Sequence, residues 1–405
     1  MDREKILERA EELKEELISI RRDIHAYPEV GLQEERTSKI VAQKLRQLGY
    51  KVQTKVGITG VVGLLEGRYP GKTILLRADM DCLKMMELNQ HIYKSKHDGL
   101  MHACGHDAHT AWLIGAAMIL ASYKDQLYGN VKFVFQPAEE TDGGAKRMIA
   151  DGVLKNPDVD IALAAHVWPS IESGKIGIKT GTMMAALNNF KVTVYGKGGH
   201  GAEPHFCIDP ISVSCQIYMA LQTIISRRIN PVEPAVISIG EFHGGAAHNV
   251  IPDKVIMEGT VRTTTEESRK KIHQMIETII KGITEAHGAS YSLEYNEDYS
   301  PVINDEEITK LVEEVGISIL GEKNVLNIQE PTMGGEDFAY FQQKVPGAFF
   351  VVGTNNPHKG IDKPLHSPYF DIDEDILPIA SAVFAGCVLQ YLNKMKNSLN
   401  EGVEQ

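Results

Sequence analysis

Cysteine is scarce in this chain of 405 residues, with five at positions 82, 104, 207, 215 and 387. The number is odd and no two form a C-x-x-C pair, so no disulfide scaffold is expected and a reducing, cytoplasmic compartment fits. Long apolar runs are lacking as well. The longest, from Ile376 to Leu389, contains Pro378 and falls short of the ~20 residues that cross a bilayer. It reads as a buried core helix. No secretory leader is expected either, since Met1-Asp2-Arg3-Glu4-Lys5 opens straight into a charged amphipathic helix. Basic residues are in deficit: 42 Lys and Arg stand against 54 Asp and Glu, a formal net charge of −12. That argues against a nucleic-acid partner, whose binding needs surplus Lys and Arg to displace counterions. It says little about small anionic substrates, because one metal or one Arg controls a local field.

The remaining composition, 43% hydrophobic and 24% charged, is that of a globular protein, and the length suggests two domains. Over the first ~180 residues helices alternate with β-branched runs, near residues 60–65, 73–78, 131–135 and 161–165, which predicts a mostly parallel α/β sheet. Helices are expected at about 3–27, 35–48, 110–122 and 143–151, by apolar spacing. From about 187 to 297 the rhythm becomes strand, helix, strand, strand, helix, strand, the βαββαβ pattern of a ferredoxin-like unit. The α/β rhythm then resumes. The expected organisation is a discontinuous catalytic domain, residues 1–186 and 298–405, with a ferredoxin-like domain inserted at 187–297.

Several polar residues lie just past the ends of the apolar runs, where open α/β sheets carry their ligands. Asp79, Glu139, Glu140 and His166 are among them. Cys104 and His106, two apart in Met101-His102-Ala103-Cys104-Gly105-His106-Asp107-Ala108-His109, would share a face of an extended segment. Thiolate and imidazole suit zinc and related metals, and Asp107 could orient a neighbouring ligand. Pro137 should end the strand before Glu139-Glu140, which frees one carboxylate to bind metal and the other to act as a base. A His-rich loop beside an inert cysteine, a solvated Glu-Glu turn and structural histidines are the bland alternatives. Gly198-Gly199-His200-Gly201-Ala202 lacks the strand–loop–helix setting and the Lys of a phosphate loop.

Taken together, these stretches resemble the dinuclear-metal aminoacylase and carboxypeptidase family, in the branch of hippurate hydrolases, indole-acetyl-amino-acid hydrolases and N-acetyl-diaminopimelate deacetylases. The matching pieces are RRDIHAYPEVG, RADMD, MHACGHDAHT, FQPAEE, HVWP, GKGGHGAEPH, HNVIP, GTVRT, MGGEDFAYF and LHSPYFDID, in family order from residue 21 to 373. The resemblance implies a metallopeptidase-type catalytic domain with an inserted dimerisation or lid domain. It makes Cys104, His106, Glu140, His166 and His366 the ligands of two divalent metals, with zinc favoured and manganese, cobalt or nickel accepted. Glu139 matches the general base. His200 matches a histidine that reaches in from the partner subunit, which implies a homodimer or homotetramer. Asn249 and Arg262 match residues that hold the substrate's carboxylate. Cys82, Lys84, Cys207 and Asn188-Asn189 depart from the family pattern, and none is an implied ligand.

The expected activity is hydrolysis of the amide bond of N-acyl-L-amino acids or short peptides by metal-activated water. A non-catalytic small-molecule-binding protein of the same fold is the alternative. A zinc nucleobase deaminase is excluded, because H-x-E with a downstream P-C-x-x-C is absent.

Overall fold

Runs of Val, Ile, Leu and Phe form strands buried on both faces, as a covered parallel sheet requires. The computed structural model describes residues 3–141 and 143–401, with side chains described from 4 to 393 apart from 142. In chain order the elements are α1 (Arg3–Glu12), α2 (Lys14–Ala26), α3 (Glu35–Gln47), β1 (Lys51–Val56), β2 (Gly60–Glu66), β3 (Tyr69–Asp79), α4 (His106–Ala121), β4 (Tyr128–Gln136), α5 (Gly144–Ala150), β5 (Ile161–Glu172) and β6 (Ile176–Ile178). There follow β7 (Gly181–Met184), β8 (Ala186–Tyr195), β9 (Gly199–His200), α6 (Pro210–Arg228), β10 (Ala235–Gly244), β11 (Val250–Ile251), β12 (Lys254–Thr263), α7 (Glu266–Ala286) and β13 (Ser290–Tyr299). Last come β14 (Val302–Asn304), α8 (Glu306–Leu320), β15 (Val325–Asn327), α9 (Ala339–Gln342), β16 (Gly347–Asn355) and α10 (Ile376–Glu401). They fall into two compact units. The first is Met1–Gly181 with Ile303–Gln329 and Asp337–Gln405; the second is Thr182–Val302 with Glu330–Glu336.

The first unit is a mixed α/β layer structure around an eight-stranded sheet of order β1-β2-β4-β3-β5-β16-β6-β15. Its central pairs, β4/β3, β3/β5 and β5/β16, are parallel, and antiparallel pairs occupy the β1–β2–β4 edge. Helices α4 and α10 pack on each other and on the sheet. Both are apolar around most of their circumference, which is how a helix enclosed in a core reads. The stretch Ile376–Asn393 has the length and hydropathy of a membrane span, yet 78% of it is buried inside the protein.

Register places the chemistry. Asp79 at the end of β3 lies level with Gln136 at the end of β4. On the other side Arg77 pairs with Ala164 of β5, so two residues further on both strands brings His166 level with Asp79. The carboxyl ends of β3 and β4 and the middle of β5 thus meet at one level of the sheet.

The second unit has a four-stranded antiparallel sheet of order β10-β12-β8-β13. In the unit's own strand numbering this is 2-3-1-4, the ferredoxin-like order. Helices α6 and α7 pack against it over a core of Phe190, Val192, Val194, Ile217, Leu221, Ile272, Ile276 and Ile280. The i, i+4 spacing of Ile272, Ile276 and Ile280 sets the buried stripe of α7. Thr265 caps that helix by accepting from Ser268 N at 3.1 Å.

Four local expectations change. The helix expected at 3–27 is two helices that part at Leu13. Strand β1 was not foreseen, because Lys51-Val52-Gln53-Thr54-Lys55 is a polar, largely exposed edge with little apolar signal. Helix α4 starts at His106 rather than Thr110, and β5 continues to Glu172, so His166 is interior to a strand instead of at its end.

Candidate metal centre

Gly105 separates Cys104 from His106 in a left-handed conformation, φ +83°, immediately before α4. A Cβ there would stand 2.5 Å from Val167 Cγ2, so only glycine lets the loop lie this close to β5. The two side chains do not share a face of an extended segment. Cys104 ends a loop, His106 opens a helix, and the glycine turn brings them together.

Five side chains of the first unit converge. Cys104 Sγ is 3.3 Å from His166 Nε2, and His366 Nε2 is 3.3 Å from Glu140 Oε1. His106 Nε2 is 4.0 Å from Glu140 Oε1. The donor atoms of Cys104, His106 and His166, of Cys104, Glu140 and His366, and of His106, Glu139 and Glu140 each lie within 4.8 Å of one another. His366 comes from a distant part of the sequence. Its backbone N–H donates to Ala103 O at 2.9 Å, and it is held at φ +62°, a conformation that costs a residue with a Cβ and persists at functional sites.

Hydrogen bonds set the imidazole tautomers. His166 Nδ1 lies 2.7 Å from Val167 O and must donate, which leaves Nε2 as a lone pair facing Cys104. His106 Nδ1 faces Asp81 Oδ1 at 3.2 Å, in the carboxylate–imidazole pairing that raises ligand basicity. His106 Nε2 and Glu140 Oε1 are buried polar atoms with no hydrogen-bond partner. Such orphans are costly unless something else satisfies them. A divalent cation would satisfy both, and the sulfur, nitrogen and oxygen donors suit zinc-like ions.

The electrostatics point the same way. Burial, then the charges of Glu140 and Glu139, pushes the Cys104 thiol well above its usual range. Burial opposes the charged form of His106, but Asp79, Asp81 and Glu140 outweigh it and hold the imidazole up at about 10. His166, buried and near His109, is lowered to about 3. Burial opposes the charged form of Glu140, but the adjacent His366 and the nearby His106 outweigh it and hold the carboxyl down at about 2. The protein alone thus sets the Glu140 carboxylate beside a cationic His106 ring, with the Cys104 thiol and the His166 ring neutral.

The surroundings contain residues the sequence reading did not single out. Asp81 accepts from Glu140 N at 3.0 Å through its other oxygen, so it holds both His106 and the Glu139-Glu140 turn. Its signal was its place two residues after Asp79 at a strand end. His109 is a spacer: Nδ1 meets Asp79 Oδ1 at 2.5 Å and Nε2 accepts from Val167 N at 3.0 Å. Buried Arg77 ties Asp79 to Asp337 at 2.7 and 2.8 Å. Asp107 does not orient a neighbouring ligand as expected. It turns the other way, to Arg21 Nε and His25 Nδ1, each at 2.7 Å, because successive helical residues point about 100° apart.

Glu139 is 7% exposed and stands in the group with His106 and Glu140. His200, Asn249 and Arg262 belong to the second unit. His200 is exposed in β9, paired with Val250 of β11, and its Nδ1 accepts from Ala202 N at 3.1 Å. Asn249 is exposed, and half-buried Arg262 donates to Thr260 Oγ1.

Residues 75–390 match Peptidase family M20/M25/M40. A thermostable carboxypeptidase of Saccharolobus solfataricus is 42% identical over 395 residues, 96% of this chain and 99% of that protein. An N-acyl-L-amino acid amidohydrolase of Geobacillus stearothermophilus is 45% identical over 308 residues, 76% of this chain and 83% of that one. Among solved structures, a dinuclear-metal-binding peptidase of family M20 from Bacillus subtilis superposes with a TM-score of 0.82 at 35% identity, over 95% of this chain and 99% of that chain. The chain therefore belongs to peptidase family M20/M25/M40 and is a metal-dependent hydrolase of amide or peptide bonds.

Proposed function

We propose that the protein hydrolyses the amide bond of N-acyl-L-amino acids, or of short peptides with a free carboxylate, with Glu139 as general base. The observation that carries this reading is the convergence of Cys104, His106, Glu140, His166 and His366 on one place, with Glu139 beside them. These five would hold two divalent ions, zinc most naturally and manganese, cobalt or nickel as alternatives. Such ions supply a water of lowered pKa and polarise the substrate carbonyl.

The chain's own residues do the rest. Glu139 accepts the water's proton and returns it to the leaving nitrogen. His200 accepts from Ala202 N through Nδ1, so its proton sits on Nε2, the tautomer that can donate to a developing oxyanion. Arg262 offers a planar fork for the substrate carboxylate, assisted by Asn249. The names of two relatives, an N-acyl-L-amino acid amidohydrolase and a carboxypeptidase, support this substrate class. We also propose a homodimer or homotetramer in which His200 serves the partner's site, and a cytoplasmic setting that keeps Cys104 reduced.

The test is a panel of N-acetyl-, N-benzoyl- and indoleacetyl-L-amino acids and dipeptides, offered to protein stripped with chelator and reloaded with each metal. Release of free amino acid that depends on reloading is the expected result. A fully loaded protein that turns over none of them would refute the substrate class.

A further inference from the structure

The turn that carries Glu139 adopts a backbone that its own residues do not favour. Ala138 lies at φ +54°, in the left-handed region that a Cβ disfavours. Its carbonyl accepts from Gly144 N at 3.2 Å, and its N–H donates to Glu34 Oε1 at 2.9 Å. Glu34 is fully buried at the start of α3, and its second oxygen accepts a short hydrogen bond from Thr59 Oγ1. One residue past Glu139, the Glu140 N–H donates to Asp81. Glu139 is thus flanked by two peptide N–H groups, each held by a buried carboxylate.

The fit around this clamp is close. A Cβ on Gly31 would stand 2.5 Å from Thr141 Oγ1 and 2.9 Å from Ala138 Cβ, and one on Gly144 would stand 1.7 Å from Pro137 O. The segment before α3 therefore abuts the turn directly. Glu34 is itself anchored, because Glu29 accepts from the N–H groups of Arg36 and Thr37 in the first turn of α3, each at 2.8 Å. A buried carboxyl group held by two donors is costly to desolvate, and it repays that cost by holding geometry.

We propose that Glu34 is a positioning residue for the reaction: its carboxylate fixes the Ala138 peptide and, through it, the direction in which Glu139 presents its carboxylate. This rests on the assignment of Glu139 as the base. The hydrogen bonds of the Glu34 carboxyl go to Ala138 and Thr59 and to none of the implied ligands, so its loss should slow turnover while leaving substrate and metal binding in place.

The experiment compares wild type, Glu34→Ala, Glu34→Gln and Glu139→Ala as full-length, metal-reloaded proteins, with metal content, kcat and KM measured for each. Glu34→Ala is expected to lose about 10- to 100-fold in kcat, with KM changed less than about threefold and metal content unaltered. Glu34→Gln keeps an oxygen that can accept the Ala138 N–H, and should recover to within about fivefold of wild type. A Glu34→Ala enzyme within about twofold of wild-type kcat, or a Glu34→Gln enzyme as slow as Glu34→Ala, overturns the proposal. Should Glu34→Ala fail to fold, Thr59→Val decides, since it removes only the hydroxyl that fixes the second oxygen. A drop in its kcat at constant KM supports the role, and an unchanged kcat overturns it. Full activity in Glu139→Ala would instead refute the assignment of the base. An inactive Glu139→Ala beside an unaffected Glu34→Ala refutes the positioning role alone.

Discussion

Replacing Gly105 by alanine should disturb the metal centre without removing a single donor. Two costs add. An L-residue at φ +83° carries left-handed backbone strain of about 1–2 kcal/mol. The new Cβ would also meet Val167 Cγ2 at 2.5 Å, an overpacking that costs about 1–3 kcal/mol. The sum is about 2–5 kcal/mol of unit stability. The clash also has a direction. Val167 accepts from His166 Nδ1 and donates to His109 Nε2, so pushing Val167 away rotates a candidate ligand and its spacer together. Moving the loop instead shifts Cys104 and His106. Either relief should weaken metal binding by about 10- to 100-fold. Urea unfolding of chelated and reloaded protein gives the first quantity, and competition with a metal-binding dye gives the second. Gly99→Ala serves as control, because Gly99 has φ +78° with nothing within 4 Å of a Cβ and so tests backbone strain without the clash. If Gly105→Ala matches Gly99→Ala in both stability and metal affinity, the close approach to β5 is not what builds the site.

Glu139→Ala should retain its metals yet lose about 10²- to 10⁴-fold in kcat, whereas Cys104→Ala should bind metal more weakly; metal analysis after dialysis, read beside initial rates, separates the two. An active, metal-loaded Glu139→Ala would leave the mechanism without its base. Lys132 gives a pH test away from the site. It is 3% exposed and donates to Val153 O at 2.9 Å, and burial, only weakly opposed by Asp158, lowers it from 10.5 to about 8. Between those two values the unfolded chain binds more protons than the folded protein, so this lysine makes stability rise with pH across that window. Below about 8 it is charged in both states and the cost of burying it is fully present. Lys132→Met should flatten that part of the rise when unfolding free energies are measured at pH 7.5 and pH 10 (~2.5 pH units apart); an unchanged difference between the two pH values would show that the lysine keeps its ordinary affinity.

Much of the site could be read from residue order. Pro137 stops β4 after Gln136 as proline in a ladder should, and the strand–helix alternation announced a parallel sheet with its chemistry at the carboxyl ends. Asp107 shows where such reading fails. In sequence it stands beside His106 and seems equally placed to serve a metal, yet both begin a helix, and there neighbours diverge by about 100°. Asp107 therefore joins Arg21 and His25 in a buried ion network, while Asp81, 25 residues before His106, takes the orienting role.

Sequence by itself determined most element types, the family, and the identities of the candidate donors, because periodicity, turn residues and ordered motifs are local properties of the chain. Tertiary structure decided the rest. It set which nitrogen of each imidazole is free, since that depends on partners such as Val167 O and Asp81. It brought His366 to Glu140 across the fold. It also assigned Glu34 to the Ala138 peptide, 104 residues away. Contacts of this kind join segments that the chain's local preferences leave independent, so only packing of the whole sheet and its covering helices could choose them.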